Sequence, residues 1–595
     1  MRTARVLLCL ALAVAGVAEA RTQDNGQSVV PLSCVLDVRL RPDSGRIIGR
    51  VDIELETRGS WPVTLPFDLN PGMRVDRFEW AGRSLDVVAT ENGFAVRPGR
   101  ATGRRARVSI GFSGSPANTR EALGYASVAI GPDAAFASWL SAWYPVLRSA
   151  RPRCPTVTTL HVPQGYTAVA NGAPSGEGRE GGEVWFRYES HEPVTASFAA
   201  GRFGRRFASA SGVSVGALLS GNDTASQRMY VGRLADIVDQ YVRLMGRFPY
   251  ESYWLVELPA ALMGRTGGSS EQGLAFLPGG ISLPTDYVDL PTLSHEVAHA
   301  YWGNWVPGQG VLMSEGLANE LSVLCLERLW SRDLAREYLL TGSVWHFQNV
   351  FNYAARYASR PDREPRLDDD AAPLWDLHAA ANTKGTLALI ELRDQIGERA
   401  FLRGLRAAMG RHAHEAMTLA QLRTEMERSA GRDLGAFFDA WFAGPGLPRE
   451  AGAPAFPEFA AGFGGWTAYG EAIDAWFARD ARTSAARLQA QLLDTPGEVP
   501  VHAWLAYVSG ALGDWSAAER HATEALRLIA RDGRFPLFEA HLHVTLARAL
   551  EQTGRRDESA AELERAVSTD ATGIIAGQAR ARLRRLRESH RPLLP

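Results

Sequence analysis

Apolar residues in this chain recur at every second position up to about residue 205, and at every third or fourth position after Thr224. The first period puts side chains on alternate faces of a strand; the second lines one face of a helix. Cys34-Val-Leu-Asp-Val-Arg-Leu40 and Gly49-Arg-Val-Asp-Ile-Glu-Leu-Glu56 alternate in this way, with Pro42-Asp-Ser-Gly45 as the turn between them. Stretches beginning at Ala106, Thr156 and Gly182 repeat the habit. Short strands broken by Gly/Pro turns predict a β-sandwich or β-saddle. No single layer architecture satisfies both periods, so the fold class is multidomain α+β.

The helical part divides again. Met229 to Met245 reads as a helix, Tyr253-Trp-Leu-Val-Glu-Leu258 as a strand, then a glycine-rich loop leads into helices up to about Phe442. Pro445-Gly-Leu-Pro448 and the Pro/Gly-rich stretch to Gly465 mark a boundary. Beyond it, Gly513-Asp-Trp with Ala518 and Ala525 matches Gly554-Arg-Arg with Ser559 and Ala566 at an offset of 41 residues. Small residues at a helix crossing, with glycine ending the first helix, resemble a degenerate tetratricopeptide hairpin, whose usual period is 34. An ordinary helical cap on the neighbouring domain explains the same pattern. The expected domains are 30–205 (β-saddle), 206–450 (catalytic) and 466–590 (helical, repeat-like).

Charge excludes some functions. There are 64 basic and 66 acidic residues, a formal net charge of -2, which argues against an electrostatically driven nucleic-acid or membrane-surface binder. All the basic residues but Lys384 are arginine, a coding bias that makes arginine counts uninformative. Residues 1–20 have a charged start, an apolar run from Val6 to Gly16 and an Ala18-Glu-Ala20 cleavage site, the pattern of a secretory signal peptide. The run is shorter than the ~20 residues a span needs, and no later segment is long and apolar enough. The expectation is an exported protein, periplasmic or secreted. Export permits disulfides, so Cys34 and Cys154 either pair or remain thiols; Cys325, in an apolar helical run, is expected to be a buried thiol.

Chemistry concentrates in Ser294-His-Glu-Val-Ala-His-Ala-Tyr-Trp-Gly-Asn304. His295 and His299 lie four apart, so on a helix both imidazoles face one way and can share a metal ion. Glu296 then overhangs the open coordination position, where a carboxylate can take a proton from water. Downstream, Met313-Ser-Glu-Gly-Leu-Ala-Asn-Glu320 is expected to open a helix running through Leu329, with Glu315 as third ligand. A His-His-Glu set with imidazoles in the majority favours one zinc ion.

With these motifs the chain resembles the gluzincin aminopeptidases of the aminopeptidase N type over most of residues 30–450. His295 to Asn304 resembles the family's zinc helix, and Glu315-Gly-Leu-Ala318 its glutamate helix. Gly268-Ser-Ser-Glu-Gln-Gly-Leu274 is similar to its Gly-x-Met-Glu-Asn loop, and Leu434 through Pro448 to the end of its catalytic domain. Tyr144-Pro-Val and Val162-Pro-Gln-Gly-Tyr-Thr-Ala-Val-Ala-Asn-Gly172 match its amino-terminal domain. The resemblance implies a thermolysin-like catalytic domain in which His295, His299 and Glu315 bind zinc. It also implies Glu296 as general base, and Gly268 and Glu271 in the loop that binds the substrate's free α-amino group.

The likeness has three departures. Fifteen residues separate His299 from Glu315, three fewer than the family's usual spacing, which a shortened loop can absorb. Ser270 and Gln272 replace Met and Asn beside Glu271. In Ala381-Asn-Thr-Lys-Gly385, Asn382 stands where the family has the tyrosine that hydrogen-bonds the oxyanion. Losing such a donor costs ~10²–10³ in turnover. Three outcomes stay open: Asn382 reaches the oxyanion, His378 substitutes from the same helical face, or turnover is weak or absent. The expected function is zinc-dependent removal of the amino-terminal residue from peptides. The alternative is a zinc- or peptide-binding pseudo-peptidase, with the helical repeats as a surface for a protein partner.

Overall fold

A computed structural model describes residues 29–98, 103–119, 126–149, 151–221, 223–263, 268–280, 283–284, 287–342, 349–357, 361–368, 372–448 and 466–588. The expected signal peptide lies outside the described residues. The chain divides into two compact units, residues 1–284 with His299–Trp305, and Thr285–Ala298 with residues 306–595. Among the described residues no helix is long and apolar enough to cross a membrane.

In the first unit the alternating segments form the predicted strands. One eight-stranded sheet runs Ala173–Glu180, Glu183–Val194, Cys154–Pro163, Val29–Arg41, Arg46–Thr57, Arg105–Gly114, Met73–Trp80 and Arg83–Ser84. Only Val29–Arg41 and Cys154–Pro163 pair parallel; the other neighbours are antiparallel. Alternation decides the buried face: Leu36, Val38, Leu40, Val51, Ile53 and Leu55 point into the core, while Asp37, Arg39 and Arg50 point out. The turn at Pro42–Ser44 is a single 3₁₀ turn closed by Gly45 at φ 65°, a left-handed conformation that glycine adopts without penalty. Cys34 and Cys154 are buried thiols with sulfurs 2.9 Å apart. The contact with Cys154, then burial, push the Cys34 thiol well above its ordinary range.

The same unit holds a five-stranded sheet in the order Phe203–Ala210, Val213–Ser220, Ser252–Leu258, Leu274–Pro278, Ser269–Glu271. Val213–Ser220 and Ser252–Leu258 are parallel neighbours, so the chain between them must cross over, and Thr224–Met245 is that crossover helix. Asp223 caps it through Ala225 N, and Gly246 ends it at φ 88°. Ser269–Glu271 forms the outer strand of the sheet.

The second unit is helical. Helix Leu290–Ala298 carries His295, helix Leu317–Leu329 follows the turn that holds Glu315, and paired helices run from Thr467 to Glu588. These pairs bury their apolar sides in the unit itself. Ala518 and Ala525 of the small-residue pattern are fully buried, as is Ala522. At Gly470 a Cβ would stand 2.4 Å from Ala355 O, Tyr469 Oη donates to Asn352 Oδ1 at 2.9 Å, and Arg356 pairs with Asp474 at 2.6 Å. At the other end a Cβ on Gly577 would meet Tyr287 at 2.2 Å.

The one lysine has a structural explanation. Lys384 is fully buried; its Nζ donates to Gly444 O at 2.7 Å and lies 3.3 Å from Glu364 Oε1. Glu364 also accepts from the Tyr353 hydroxyl and Gly446 N. Replacing one member strands the other in low dielectric. Lys384→Met should therefore destabilise the protein by ~3–5 kcal/mol, read as a shift of the urea midpoint; an unchanged midpoint would contradict this assignment.

Candidate metal centre and its surroundings

The metal helix Leu290–Ala298 starts on Asp289, whose carboxylate accepts from Thr292 N at 3.3 Å and Thr292 Oγ1 at 3.0 Å. Ser294 Oγ meets Ser322 Oγ at 2.6 Å, tying this helix to Leu317–Leu329. His295 sits in the last helical turn and His299 is the first residue beyond it. His299 Nδ1 lies 3.0 Å from Trp302 O. A carbonyl can only accept, so Nδ1 carries the proton and Nε2 is left to bind a metal.

Glu315 does not open the α-helix, as the sequence suggests. It lies in a five-residue π turn, Leu312–Gly316, and the α-helix begins at Leu317. A π turn inserts one residue into the helical cycle, which rotates the side chains within it; such turns occur often at functional sites. The shortened loop before it is stitched in place: Met417 N donates to Pro307 O at 2.8 Å, and Gln309 N to Met417 O at 2.9 Å.

His295, His299 and Glu315 each offer a ligand atom, and these atoms lie within 4.8 Å of one another. His295 Nε2 is 3.4 Å from Glu315 Oε2. Ligands ~2.0–2.2 Å from one tetrahedral ion stand ~3.3 Å apart, so the two-nitrogen, one-carboxylate set fits zinc. Glu296, adjacent to the first ligand, is 6% exposed.

Asn382 also lies in a π turn, Ala381–Gly385, and is buried. Its Oδ1 accepts from Asn319 Nδ2, which also lies 3.5 Å from Asn382 O. That backbone oxygen can only accept, which fixes the amide of Asn319, and through it the orientation of Asn382. The Asn382 NH₂ makes no hydrogen bond among the described residues. The two π turns interlock at glycine: a Cβ on Gly385 would stand 2.5 Å from Leu312 Cδ1, and one on Gly316 3.4 Å from Ala381 O. His378, one turn before Asn382, brings Nδ1 to 3.9 Å from Glu315 Oε1.

In the first unit, Gly268 precedes the outer strand and Glu271 ends it, in a strand where the sequence suggests a loop. Antiparallel pairing of Glu271 with Leu274 creates a tight hairpin at Gln272-Gly273, with Gly273 at φ 87°. The Glu271 carboxylate is 1% exposed and accepts from Ser197 Oγ at 2.9 Å, Ser269 Oγ at 3.2 Å and Trp139 N at 3.4 Å. Burial raises its pKa, with Ser138 and these donors acting against that rise. Gln272 fixes the hairpin: its Oε1 accepts from Thr195 N at 2.7 Å, and its O from Asn171 Nδ2 at 2.6 Å. Ser197, Trp139, Asn319 and Trp302 O are the supporting groups that sequence reasoning missed.

The family model for the Peptidase family M1 domain matches residues 287–441. Aminopeptidase N of Streptomyces lividans is 25% identical over 210 residues, 33% of this chain and 23% of that protein. Aminopeptidase N of Lactococcus lactis subsp. lactis is 27% identical over 169 residues, 26% of this chain and 18% of that protein. The matches thus span less than a quarter of these relatives' length. Among solved structures, the M1 zinc metallopeptidase from Deinococcus radiodurans aligns with a TM-score of 0.56 at 19% identity, covering 71% of this chain and 95% of that one. A mutant of it has been solved with a Tyr-Ser-Ala substrate. Legionella pneumophila aminopeptidase A, in complex with aspartic acid, aligns at 0.53 and 14% identity, over 70% of this chain and 50% of that one. These structural likenesses establish a shared fold. Residues 287–441 thus match the peptidase family M1 domain, and the aminopeptidase N relatives and the shared fold agree with the resemblance to gluzincins of the aminopeptidase N type.

Proposed function

We propose that the protein is an exported zinc aminopeptidase that hydrolyses the first peptide bond of peptides with a free amino terminus. The observation that carries this reading is the convergence of His295, His299 and Glu315 on one point, with Glu296 next in sequence to the first of them. Zinc supplies Lewis-acid charge that acidifies water and polarises a carbonyl. Glu296 takes the proton from the attacking water and returns it to the departing amine. Asn382 donates from its NH₂ to the developing oxyanion, its Oδ1 being held by Asn319. Glu271 receives the substrate ammonium. A desolvated carboxylate gains most from a full counter-charge, and this selects free amino termini over interior peptide.

Glu296→Gln should lower turnover by ~10²–10⁴-fold while zinc per chain stays at one; unchanged turnover would overturn the mechanism. Glu271→Ala should cost ~10²-fold or more in kcat/KM on aminoacyl amides, the scale of an unmade buried charge pair. Equal kcat/KM for the variant would remove Glu271 from substrate binding.

The experiment that tests the function compares aminoacyl amides with amino-blocked peptides, with chelator and zinc re-addition. Chelator-sensitive release from free amino termini alone supports it. Cleavage of blocked peptides would make the protein an endopeptidase. The replacement of tyrosine by Asn382 favours one second reading, a pseudo-peptidase, and a zinc-loaded but inert protein would support that instead.

A further inference from the structure

Oxyanion stabilisation normally uses donors aimed at the place where charge develops, and an asparagine amide is shorter than the phenol it replaces. A second donor stands beside it. His378 lies in the helix Leu374–Ala380, immediately before the π turn Ala381–Gly385 that carries Asn382. A π turn takes more residues per cycle than the 3.6 of an α-helix, so positions four apart across this junction fall close to one line. His378 and Asn382 therefore share a strip of helix surface. Their relation to the metal group is set by Glu315. Its Oε2 faces His295 at 3.4 Å and its Oε1 faces His378 Nδ1 at 3.9 Å. His378 thus lies at the carboxylate oxygen not turned to His295. At 3.9 Å the imidazole is beyond hydrogen-bond reach of Oε1, yet near enough to contact an oxygen held beside that carboxylate.

The surrounding packing keeps this relation rigid. The glycine contacts at Gly316 and Gly385 lock the Glu315 turn against the Asn382 turn, and Thr383 Oγ1 bonds back to Ala379 O across the junction. A shift of His378 relative to Glu315 would have to break that packing. About a quarter of the His378 side chain is exposed, enough for a ligand to touch it.

We propose that His378 is a catalytic residue of this protein: its ring N–H donates, together with the Asn382 amide, to the oxyanion formed from the first peptide carbonyl. The proposal rests on the peptidase reading above. It replaces one tyrosine hydroxyl by two nitrogen donors on successive turns. The imidazole forms no covalent bond and moves no proton in this role.

The test uses full-length zinc-loaded protein and three variants, His378→Phe, His378→Gln and Asn382→Ala. Two quantities are measured: kcat and KM on an aminoacyl amide, and affinity for a phosphinic dipeptide whose tetrahedral oxygens mimic the transition state. His378→Phe should lose ~10²-fold in kcat with KM within about two-fold, and lose phosphinate affinity by a similar factor. His378→Gln, which keeps a donor, should recover part of both, and Asn382→Ala should lose both. Unchanged kcat and phosphinate affinity in His378→Phe would overturn the proposal. Should His378→Phe lose zinc, His378→Gln decides: wild-type zinc content with no recovery would also overturn it. Should the wild type be inert on every substrate, the peptidase reading falls by itself. Phosphinate affinity then still reads His378, supporting the proposal if His378→Phe binds more weakly and refuting it if binding is equal.

Discussion

Two imidazoles and a carboxylate must reach one point with lone pairs facing inward, an arrangement that desolvates all three and is stable only when each is held from behind. The rest of the site depends on how this convergence is built. Helix periodicity brings His295 and His299 to one side, Trp302 O selects the tautomer of His299, and the π turn at Leu312–Gly316 brings Glu315 to within 3.4 Å of His295. Three protein ligands are the number that hydrolytic zinc sites use, the fourth position being left to water.

Behind the glutamate turn, a buried ionic cluster anchors the helix that follows. Arg393, 2% exposed, donates two hydrogen bonds of 2.8 Å to Glu327, and its Nε lies 2.8 Å from Glu320 Oε1. Burial pushes Glu320 up to about 8, against the pull of Arg393. Such clusters are worth less for stability than for register, because desolvation offsets most of the attraction while a misplaced partner costs several kcal/mol. Glu320 is five residues from Glu315, so its pairing with Arg393 helps hold the helix that places the ligand. The Lys384–Glu364 pair does the same for the turn carrying Asn382.

Local periodicity carried most of the fold. The alternation at Cys34–Leu40 and Gly49–Glu56 predicts which face is buried, and the structure buries it. The His295–His299 spacing and the downstream Glu315 likewise made the metal group legible, because these residues lie close in the chain and their spacing is itself geometry. What sequence did not show is non-local or subtle in backbone terms. Ser197 and Trp139 reach Glu271 from 74 and 132 positions away, and no local pattern announces such partners. The π turns at Leu312–Gly316 and Ala381–Gly385 differ from an α-helix by one residue per cycle, below what apolar spacing resolves over five residues. Lys384 stood out by its rarity, but its partner Glu364 had no signature.

X-ray absorption at the zinc edge of the loaded full-length protein tests the ligand assignment most directly. The expected shells are two imidazole nitrogens at ~2.0–2.1 Å with carboxylate and solvent oxygens at ~2.0–2.2 Å, and no sulfur. A sulfur shell, or zinc bound with fewer than two imidazoles, would contradict that assignment.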